Sequence, residues 1–239
     1  MNERKGASFL KIQILHLLSG AEQARGLTVI IDVFRAFSVE AYFFARGGEK
    51  ILAVADSAQA YEIKRQHPEY LLVGERHGVI LPGFDCGNSP SELVKLELSG
   101  KTMVHTTSSG TQGIERARGA SQILGGSLVT AKATAEYIKH SGAEEVSLVC
   151  MGWEGQRKTE EDELCANYIK SLIEGTSFDI EKEIEDLKRT EGAKFFNAAQ
   201  KDVFPRDDFF LCTDYDKADF VIRRKESVDG FHIMEKISI

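Results

Sequence analysis

Cysteine and proline are scarce in this chain of 239 residues, which has four of each. The cysteines, Cys86, Cys150, Cys165 and Cys212, form no Cys-x-x-Cys pair, so the sequence indicates neither a zinc site nor a disulfide framework. No run of about eighteen apolar residues occurs, which argues against a membrane-spanning helix. The first residues also lack the apolar stretch and cleavage site of a signal peptide. These absences predict a protein of the reducing cytoplasm.

Positive charge is also in short supply, because 30 Lys and Arg face 37 Asp and Glu, for a net charge of −7. Binding to a phosphate backbone needs clustered basic surface, so we expect no nucleic-acid partner. The hydrophobic (42%) and charged (28%) fractions are those of an ordinary globular protein. The length predicts one large domain or two closely packed lobes.

Short apolar runs alternate with amphipathic stretches along the chain. The predicted strands are Phe9–Leu15, Thr28–Phe34, Lys50–Val54, Tyr70–Gly74, Lys101–Thr106, Ser121–Leu124, Val146–Met151, Asp208–Cys212 and Phe220–Arg223. The predicted helices are Ala36–Arg46, Ser57–Gln66, Gly110–Arg118, Thr130–Ser141, Glu161–Glu174 and the charged segment Glu181–Gln200. This alternation indicates βαβ units. We expect an α/β fold in which residues 1–239 form one three-layer α/β/α domain. Its mixed sheet would be mainly parallel, and the last thirty residues would form strands that close one edge.

Charged side chains follow several predicted strands, where open α/β sheets bind their ligands. Asp32 ends an apolar strand, and Arg35 begins the helix that follows. The carboxylate could bind a hard cation and the guanidinium a phosphate, or the two could pair with each other. Glu75 and Arg76 open a glycine-rich loop after another strand, which favours a site over a simple turn.

Hydroxyl groups are concentrated in the turn that follows the strand ending at Thr106. Hydroxyls and backbone N–H groups at a helix start favour an anion, so we expect a phosphate site here, with an ordinary capping turn as the alternative. The residues of this turn are Thr107, Ser108, Ser109, Gly110 and Thr111.

Two other helix starts carry polar groups. Asp162 lies in a first turn after the strand ending at Met151, where it could be a metal or acid–base carboxylate or a partner of the helix dipole. Asn88-Ser89-Pro90 is typical of a helix start, so we interpret Asn88 and Ser89 as structural.

Arg76-His77-Gly78 matches the Arg-His-Gly motif of histidine phosphatases. In those enzymes the histidine is the nucleophile, the arginine holds phosphate, and no metal is needed. Their motif normally lies near the N-terminus and requires a second histidine, which no downstream motif supplies here. This metal-free mechanism is therefore kept as an alternative only.

Taken together and in order, these clusters resemble the 2-phosphosulfolactate phosphatase family of coenzyme M biosynthesis. The most specific match is Gly83-Phe84-Asp85-Cys86-Gly87-Asn88-Ser89-Pro90, and supporting matches are Asp32–Ser38, Gly74–Arg76, Thr106–Thr111, Gly126-Ser127 and Glu161-Asp162. The resemblance implies an α/β fold and a Mg²⁺-dependent hydrolysis. The implied substrate is a phosphate monoester that also carries a carboxylate and a sulfonate.

Residue by residue, the resemblance implies that Asp32, Arg35, Glu75, Arg76 and Asp162 are the catalytic residues. Of these, Asp32, Glu75 and Asp162 would bind Mg²⁺, and the Thr107–Thr111 turn would face an anionic group. A polyanionic substrate on a net negative protein needs a locally basic site. We therefore expect Lys132 and Arg157 to join the two arginines there.

The resulting hypothesis is a cytoplasmic Mg²⁺-dependent phosphatase that converts 2-phosphosulfolactate to sulfolactate and phosphate. Its partner would be a small anionic phosphate ester rather than nucleic acid or membrane, and a homo-oligomer is left open. The alternative is a non-catalytic anion-binding protein on the same scaffold, because the chain departs from the family pattern near the site. The departures are Phe37 and His77, where the family usually has Thr and Gly, Ser108-Ser109 in place of Thr-Asn, and Thr130 in place of Asn.

Overall fold

The computed structural model describes residues 10–228 and 231–239. The strands in these ranges are β1 (Lys11–His16), β2 (Gly26–Ile31), β3 (Lys50–Ala53), β4 (Leu71–Arg76), β5 (Val79–Ile80), β6 (Thr102–Thr106), β7 (Ala120–Gly126), β8 (Glu145–Cys150), β9 (Phe220–Val228) and β10 (Phe231–Ser238). The α-helices are α1 (Leu17–Gln23), α2 (Ala36–Ala45), α3 (Ser57–Gln66), α4 (Pro90–Leu93), α5 (Gly110–Arg116), α6 (Ala131–His140), α7 (Glu160–Glu174), α8 (Ile180–Leu187) and α9 (Arg206–Thr213). Within the described ranges, no helix has the length and apolarity needed to cross a membrane.

The strands form one mixed sheet in the order β1-β8-β2-β7-β9-β10-β3-β6-β4-β5. The strands β1, β8, β2 and β7 are parallel to one another, and so are β3, β6 and β4. The hairpin β9–β10 joins the two parallel halves, pairing antiparallel with β7 on one side and with β3 on the other. Three successive antiparallel pairings reverse the strand direction, so the two halves run in opposite directions.

Helices cover both faces of the sheet, which gives the predicted three-layer α/β/α fold. Successive side chains of a strand point to opposite faces, and β2 illustrates this. Ile30 lies in a core with side chains of α1, α2 and α5, whereas Val29 and Ile31 lie in a second core with α6, α7 and α9. A third core, under α3, packs on β3, β4 and β6. Because β2 and β8 are buried on both faces, their sequences are mostly apolar. β6 is also fully buried, but it carries the polar residues Thr102, His105 and Thr106.

Most predicted elements are confirmed within a few residues, although Phe9 of the first predicted strand lies outside the described ranges. The predicted strand Asp208–Cys212 is wrong, because these residues belong to the helix α9. Its apolar run is too short to distinguish a strand from a helix by periodicity. Helical spacing buries Phe209 and Cys212 while Phe210 stays exposed.

Two further predictions about the C-terminal third are wrong. The last thirty residues contribute the hairpin β9–β10 at the centre of the sheet rather than at an edge. The segment Glu181–Gln200 is helical only over α8, which is followed by two short 3₁₀ turns. Charge density alone predicted one long helix, but burial of Gly192 and Phe195 against α9 breaks the regular repeat.

The close packing of Phe37 on Gly125 gives a first testable prediction. A Cβ atom at Gly125 would lie 2.4 Å from a ring carbon of the fully buried Phe37. Gly125→Ala should therefore lower the free energy of unfolding by about 1–3 kcal/mol, measured by chemical denaturation. Phe37→Leu in the same background should recover part of this loss. Gly87→Ala is the control, because its Cβ would make ordinary contacts from 3.5 Å; an equal loss there would contradict the packing explanation.

Candidate active site

A small cavity of about 30 Å³ lies where loops from both halves of the sheet meet. Its lining residues are Asp32, Phe34, Arg35, Glu75, Gly78, Asn88, Ser108, Ser109, Gly152, Trp153, Glu154 and Phe204. The loops after β2, β4, β6 and β8 thus all contribute to one cavity. A larger open groove of about 550 Å³ runs between α7 and α8, but it contains none of the predicted site residues.

Asp32 follows β2 and is buried in the cavity wall. Its Oδ1 accepts a hydrogen bond from the Ala36 N–H (3.1 Å), and its Oδ2 accepts one from the Gly110 N–H (2.9 Å). Burial raises the pKa of Asp32 to about 6, and the negative charge of Glu75 adds to this against the backbone donors. The side chain therefore ties the loop after β2 to the start of α5 and titrates near neutral pH.

Glu75, near the end of β4, is the second buried carboxylate of the cavity. Its Oε1 accepts from the Ser108 N–H (2.7 Å), and its Oε2 accepts from the Gly78 N–H (2.7 Å) and the Ser108 hydroxyl (3.3 Å). The hydroxyl-rich turn is thus bound to Glu75 through Ser108 and to Asp32 through Gly110. The backbone N–H groups of Ser108 and Gly110 therefore donate to carboxylates of the protein itself.

The remaining hydroxyls of the turn also have partners inside the protein. Thr107 and Thr111 are buried and cap each other, since each backbone N–H donates to the other's hydroxyl at 2.9 and 3.2 Å. The Ser109 hydroxyl donates to the Gly152 carbonyl at 2.8 Å, which links the turn to the loop after β8. Only Ser108 and Ser109 of this turn line the cavity.

Arg35 lines the cavity from a buried ion pair. Its Nη1 donates to Asp208 Oδ2 (2.7 Å), and its guanidinium lies 5.3 Å from the centre of the Phe204 ring. Asp208 Oδ1 accepts from the Ser89 hydroxyl (2.8 Å) and the Ser91 N–H (2.9 Å). The alternative pairing of Arg35 with Asp32 is not formed; α9 supplies the counterion instead.

Asp162 lies behind the cavity wall rather than in it. Its Oδ1 accepts from the Val33 N–H (2.8 Å) and its Oδ2 from the Gly152 N–H (2.7 Å). Burial, and then the negative charges of Glu161 and Asp32, raise its pKa well above the usual value. Asp162 therefore joins the loop after β2 to the loop after β8.

The three predicted basic residues other than Arg35 lie outside the cavity lining. The Arg76 guanidinium donates to the Ala55 carbonyl (3.1 Å) and the Thr106 hydroxyl (2.9 Å). Lys132 is exposed on α6. Arg157 is exposed and forms an ion pair with Glu191.

His77 lies at the rim, where its side chain is 78% exposed and its Nδ1 is 2.7 Å from Glu154 Oε1. The Arg76 guanidinium points away from it, to Ala55 and Thr106. This arrangement disfavours the histidine-phosphatase alternative, which needs the arginine beside the nucleophilic histidine. The backbone at His77 is left-handed, with φ 55°, a conformation that glycine adopts without strain.

A second cation lies just behind the aromatic part of the wall. Lys194 Nζ is 5.2–5.7 Å from the ring centres of Phe34, Trp153, Phe195 and Phe204. The ammonium also faces Glu161, a buried carboxyl whose pKa burial raises to about 7 against the opposing effect of Lys194.

Three carboxylates and one guanidinium line the cavity among the described residues, namely Asp32, Glu75, Glu154 and Arg35. The guanidinium is already neutralised by Asp208. The cavity is therefore net negative, contrary to the expected cluster of free basic side chains. Within residues 10–228 and 231–239, no three His, Cys, Asp or Glu side chains are grouped to hold a metal ion by themselves.

Comparison with known proteins agrees with the motifs in this cavity. The family model described as 2-phosphosulpholactate phosphatase matches residues 13–226. A probable 2-phosphosulfolactate phosphatase of Bacillus subtilis is 32% identical over 203 residues, which is 84% of this chain and 87% of the relative. The chain belongs to the 2-phosphosulfolactate phosphatase family.

Two other family members give similar matches. The probable 2-phosphosulfolactate phosphatase of Carboxydothermus hydrogenoformans is 36% identical over 165 residues, or 69% of this chain and 68% of the relative. The protein of the same description from Caldicellulosiruptor saccharolyticus is 40% identical over 149 residues, or 61% of each chain.

Some site residues of this family member escaped the sequence interpretation. Asp208 falls in a predicted strand, although Pro205 with two acids, Asp207 and Asp208, in the following turn is a helix-start signal. Ser89 does cap α4, with its Oγ accepting from the Glu92 N–H, but Asn88 lines the cavity instead. Glu40 is the one charged residue of the otherwise uncharged helix α2, a signal that it needs a buried partner.

The Arg35–Asp208 pair should dominate the stability of this site. Asp208→Asn leaves a buried guanidinium without its counterion, which costs about 3–5 kcal/mol. The loss should appear as a lower midpoint in chemical denaturation. Asp207→Asn, one residue away but exposed, is the matched control and should change the free energy of unfolding by less than about 0.5 kcal/mol. Similar effects of the two variants would show that the buried pair is not stabilising.

Proposed function

We propose that this protein is a divalent-cation-dependent phosphatase that hydrolyses a small polyanionic phosphate monoester, with 2-phosphosulfolactate as the first candidate. Family membership and the phosphatase descriptions of the relatives support the reaction class. The observation that supports the cation is the pair of buried carboxylates, Asp32 and Glu75, in a net negative cavity. A trianionic ester would be repelled from such a cavity unless a cation accompanied it.

The donor set fits Mg²⁺. Each oxygen of Asp32 and Glu75 accepts a backbone N–H, and all but Glu75 Oε2, which also accepts from the Ser108 hydroxyl, keep a second lone pair. Mg²⁺ typically takes only one or two carboxylates and fills its other positions with water and substrate phosphate. Two carboxylates are therefore sufficient, which agrees with the absence of a three-residue cluster in the described ranges.

When bound by Asp32 and Glu75, Mg²⁺ would neutralise charge on the phosphoryl oxygens and polarise them. The backbone donors to these two carboxylates hold them in place before substrate arrives. Arg35 would bring its remaining donors to the phosphoryl group while Asp208 fixes its orientation. Hydrolysis adds the hydroxyl of water to phosphorus, breaks the ester P–O bond and returns a proton to the leaving alkoxide.

The Glu154–His77 pair at the cavity mouth would supply the proton that the leaving alkoxide takes up. That Asp162 binds the metal stays a prediction, since Asp162 does not line the cavity. In this proposal it positions the loops after β2 and β8. Lys132 and Arg157 likewise stay predictions as substrate contacts.

The first test is release of phosphate from racemic 2-phosphosulfolactate with Mg²⁺ or with EDTA, alongside phospholactate and phosphoglycerate. We expect turnover that EDTA abolishes and that Asp32→Asn lowers by at least about 1000-fold, because that variant loses a charge needed to hold the cation. Asp207→Asn should match the wild type. Turnover of another ester would change the substrate and keep the chemistry. No turnover of any ester by folded protein that still binds 2-phosphosulfolactate would favour the non-catalytic alternative.

Cation binding should also depend on pH through Asp32, whose pKa of about 6 lies above the usual 3.8. The native state holds this proton between about pH 4 and 6 while the unfolded state releases it, so the contribution of Asp32 to stability falls as pH rises through that window. Mg²⁺ must displace the proton below pH 6. The thermal midpoint should therefore rise more with Mg²⁺ at pH 8 than at pH 5.5.

At pH 8, Mg²⁺ at ten times its Kd should add about 1.4 kcal/mol, or about 4 °C for a chain of this size. Asp32→Asn should lose most of this shift when melting is followed by circular dichroism. An undiminished shift in Asp32→Asn would place the cation elsewhere.

A further inference from the structure

A buried row of three polar side chains leads from the core to the cavity. Glu40 on α2 and His105 on β6 have fully buried side chains, and Asn88 lines the cavity. The His105 Nδ1 is 2.9 Å from Glu40 Oε1, and its Nε2 is 3.3 Å from Asn88 Oδ1. The mechanism above uses none of these three groups.

The contacts of the imidazole determine which way Asn88 points. Asn88 Oδ1 can only accept, so His105 Nε2 must carry a proton and donate it. This holds whether the proton between Nδ1 and Glu40 resides on the imidazole or on the carboxyl. Because Oδ1 faces His105, the amide nitrogen of Asn88 is the atom available to the cavity.

The row is costly to the fold. Glu40 Oε2 is buried without a hydrogen-bond partner among the described residues. Leaving such an atom unpaired costs about 1–3 kcal/mol, and an apolar residue would avoid this cost on the otherwise uncharged helix α2. Because Glu40 is connected to the cavity through His105 and Asn88, its cost to stability points to a role in the site.

We propose that Asn88 is a catalytic residue that donates its amide N–H to an anionic oxygen of the substrate, and that His105 and Glu40 are its positioning residues. The proposal rests on the proposed function. A neutral donor suits this cavity, because the one lining cation among the described residues is already paired with Asp208. Fixing the amide in advance means that no reorganisation is needed when charge develops on the phosphoryl group.

A double-mutant cycle separates positioning from a merely structural role. Asn88→Ala should lower kcat about 100-fold, the usual effect of losing one oriented donor. His105→Leu should cause a similar loss, and the double variant should be no worse than Asn88→Ala alone, since His105 acts only through Asn88. Losses that multiply in the double variant would overturn the proposal.

Two variants test whether the effect belongs to this hydrogen bond. His105→Gln keeps an N–H that can donate to Asn88 and should retain kcat within about tenfold of the wild type. His232→Leu is the control, because His232 is also buried, with its Nε2 2.9 Å from Glu115 Oε2, but does not line the cavity. It should leave kcat unchanged. A His105→Gln variant as impaired as His105→Leu would contradict the proposal.

Nitrogen NMR of histidine-labelled wild-type protein tests the orientation without turnover. We expect a protonated His105 Nε2 whose signal shifts when inorganic phosphate and Mg²⁺ are added, and no such shift in Asn88→Ala. An unprotonated Nε2 would mean that Asn88 is reversed, which overturns the proposal even if the enzyme is active. A wild type that releases no phosphate from any ester refutes the proposed function instead, so the two failures are distinguishable.

Discussion

The site depends on one constraint, the burial of carboxylates whose main hydrogen-bond donors are backbone N–H groups. Asp32 accepts from Ala36 and Gly110, and Glu75 accepts from Gly78 and Ser108. These bonds join loops from β2 in one half of the sheet to loops from β4 and β6 in the other. Four strands separate β2 from β6 in the sheet order, so these hydrogen bonds hold together loops that are far apart in the sheet order.

The same constraint explains why the cavity is negative. Each half of the sheet supplies a carboxylate, and the burial that orders the loops also raises the pKa of Asp32. In the proposed function, a divalent cation would remove this cost when it binds. A lysine beside each carboxylate would instead neutralise the cavity and leave no free negative charge to hold a cation.

The fold was largely predictable from the sequence because short, mostly apolar runs such as β2 and β8 alternate with helical stretches such as α6 and α7. What the sequence could not provide is the relation between the two halves. Because β9 and β10 come last in the sequence, the sequence suggests that they form an edge of the sheet. Only their antiparallel pairing with β7 and β3 shows that they lie between two halves whose strands run in opposite directions. Loops that follow β2, β4, β6 and β8 line one cavity, although the two halves of the sheet run in opposite directions.

The candidate site was predictable for residues that stand beside a strand end, such as Asp32 and Glu75, and not for their distant partners. Asp208 reaches Arg35 across 173 positions, and Glu40 reaches His105 across 65. No local pattern encodes such pairs. Arg76 was misleading because a guanidinium next to a site carboxylate looks like a phosphate ligand, whereas here it binds a carbonyl and a hydroxyl of neighbouring segments.

The departures from the family pattern differ in what they can change. Phe37 lies in the core against Gly125, and the Thr130 hydroxyl accepts from the Ser127 N–H in a capping box, so neither lines the cavity. Ser108 and Ser109 do line it, and His77 stands at its mouth beside Glu154. Asp32 and Glu75 accept backbone N–H groups from Ala36, Gly110, Gly78 and Ser108, so the two carboxylates proposed to bind the cation are fixed in the cavity wall. We therefore expect differences in substrate preference within the family to reside at the mouth and in the serine pair, while the proposed chemistry depends on the buried carboxylates.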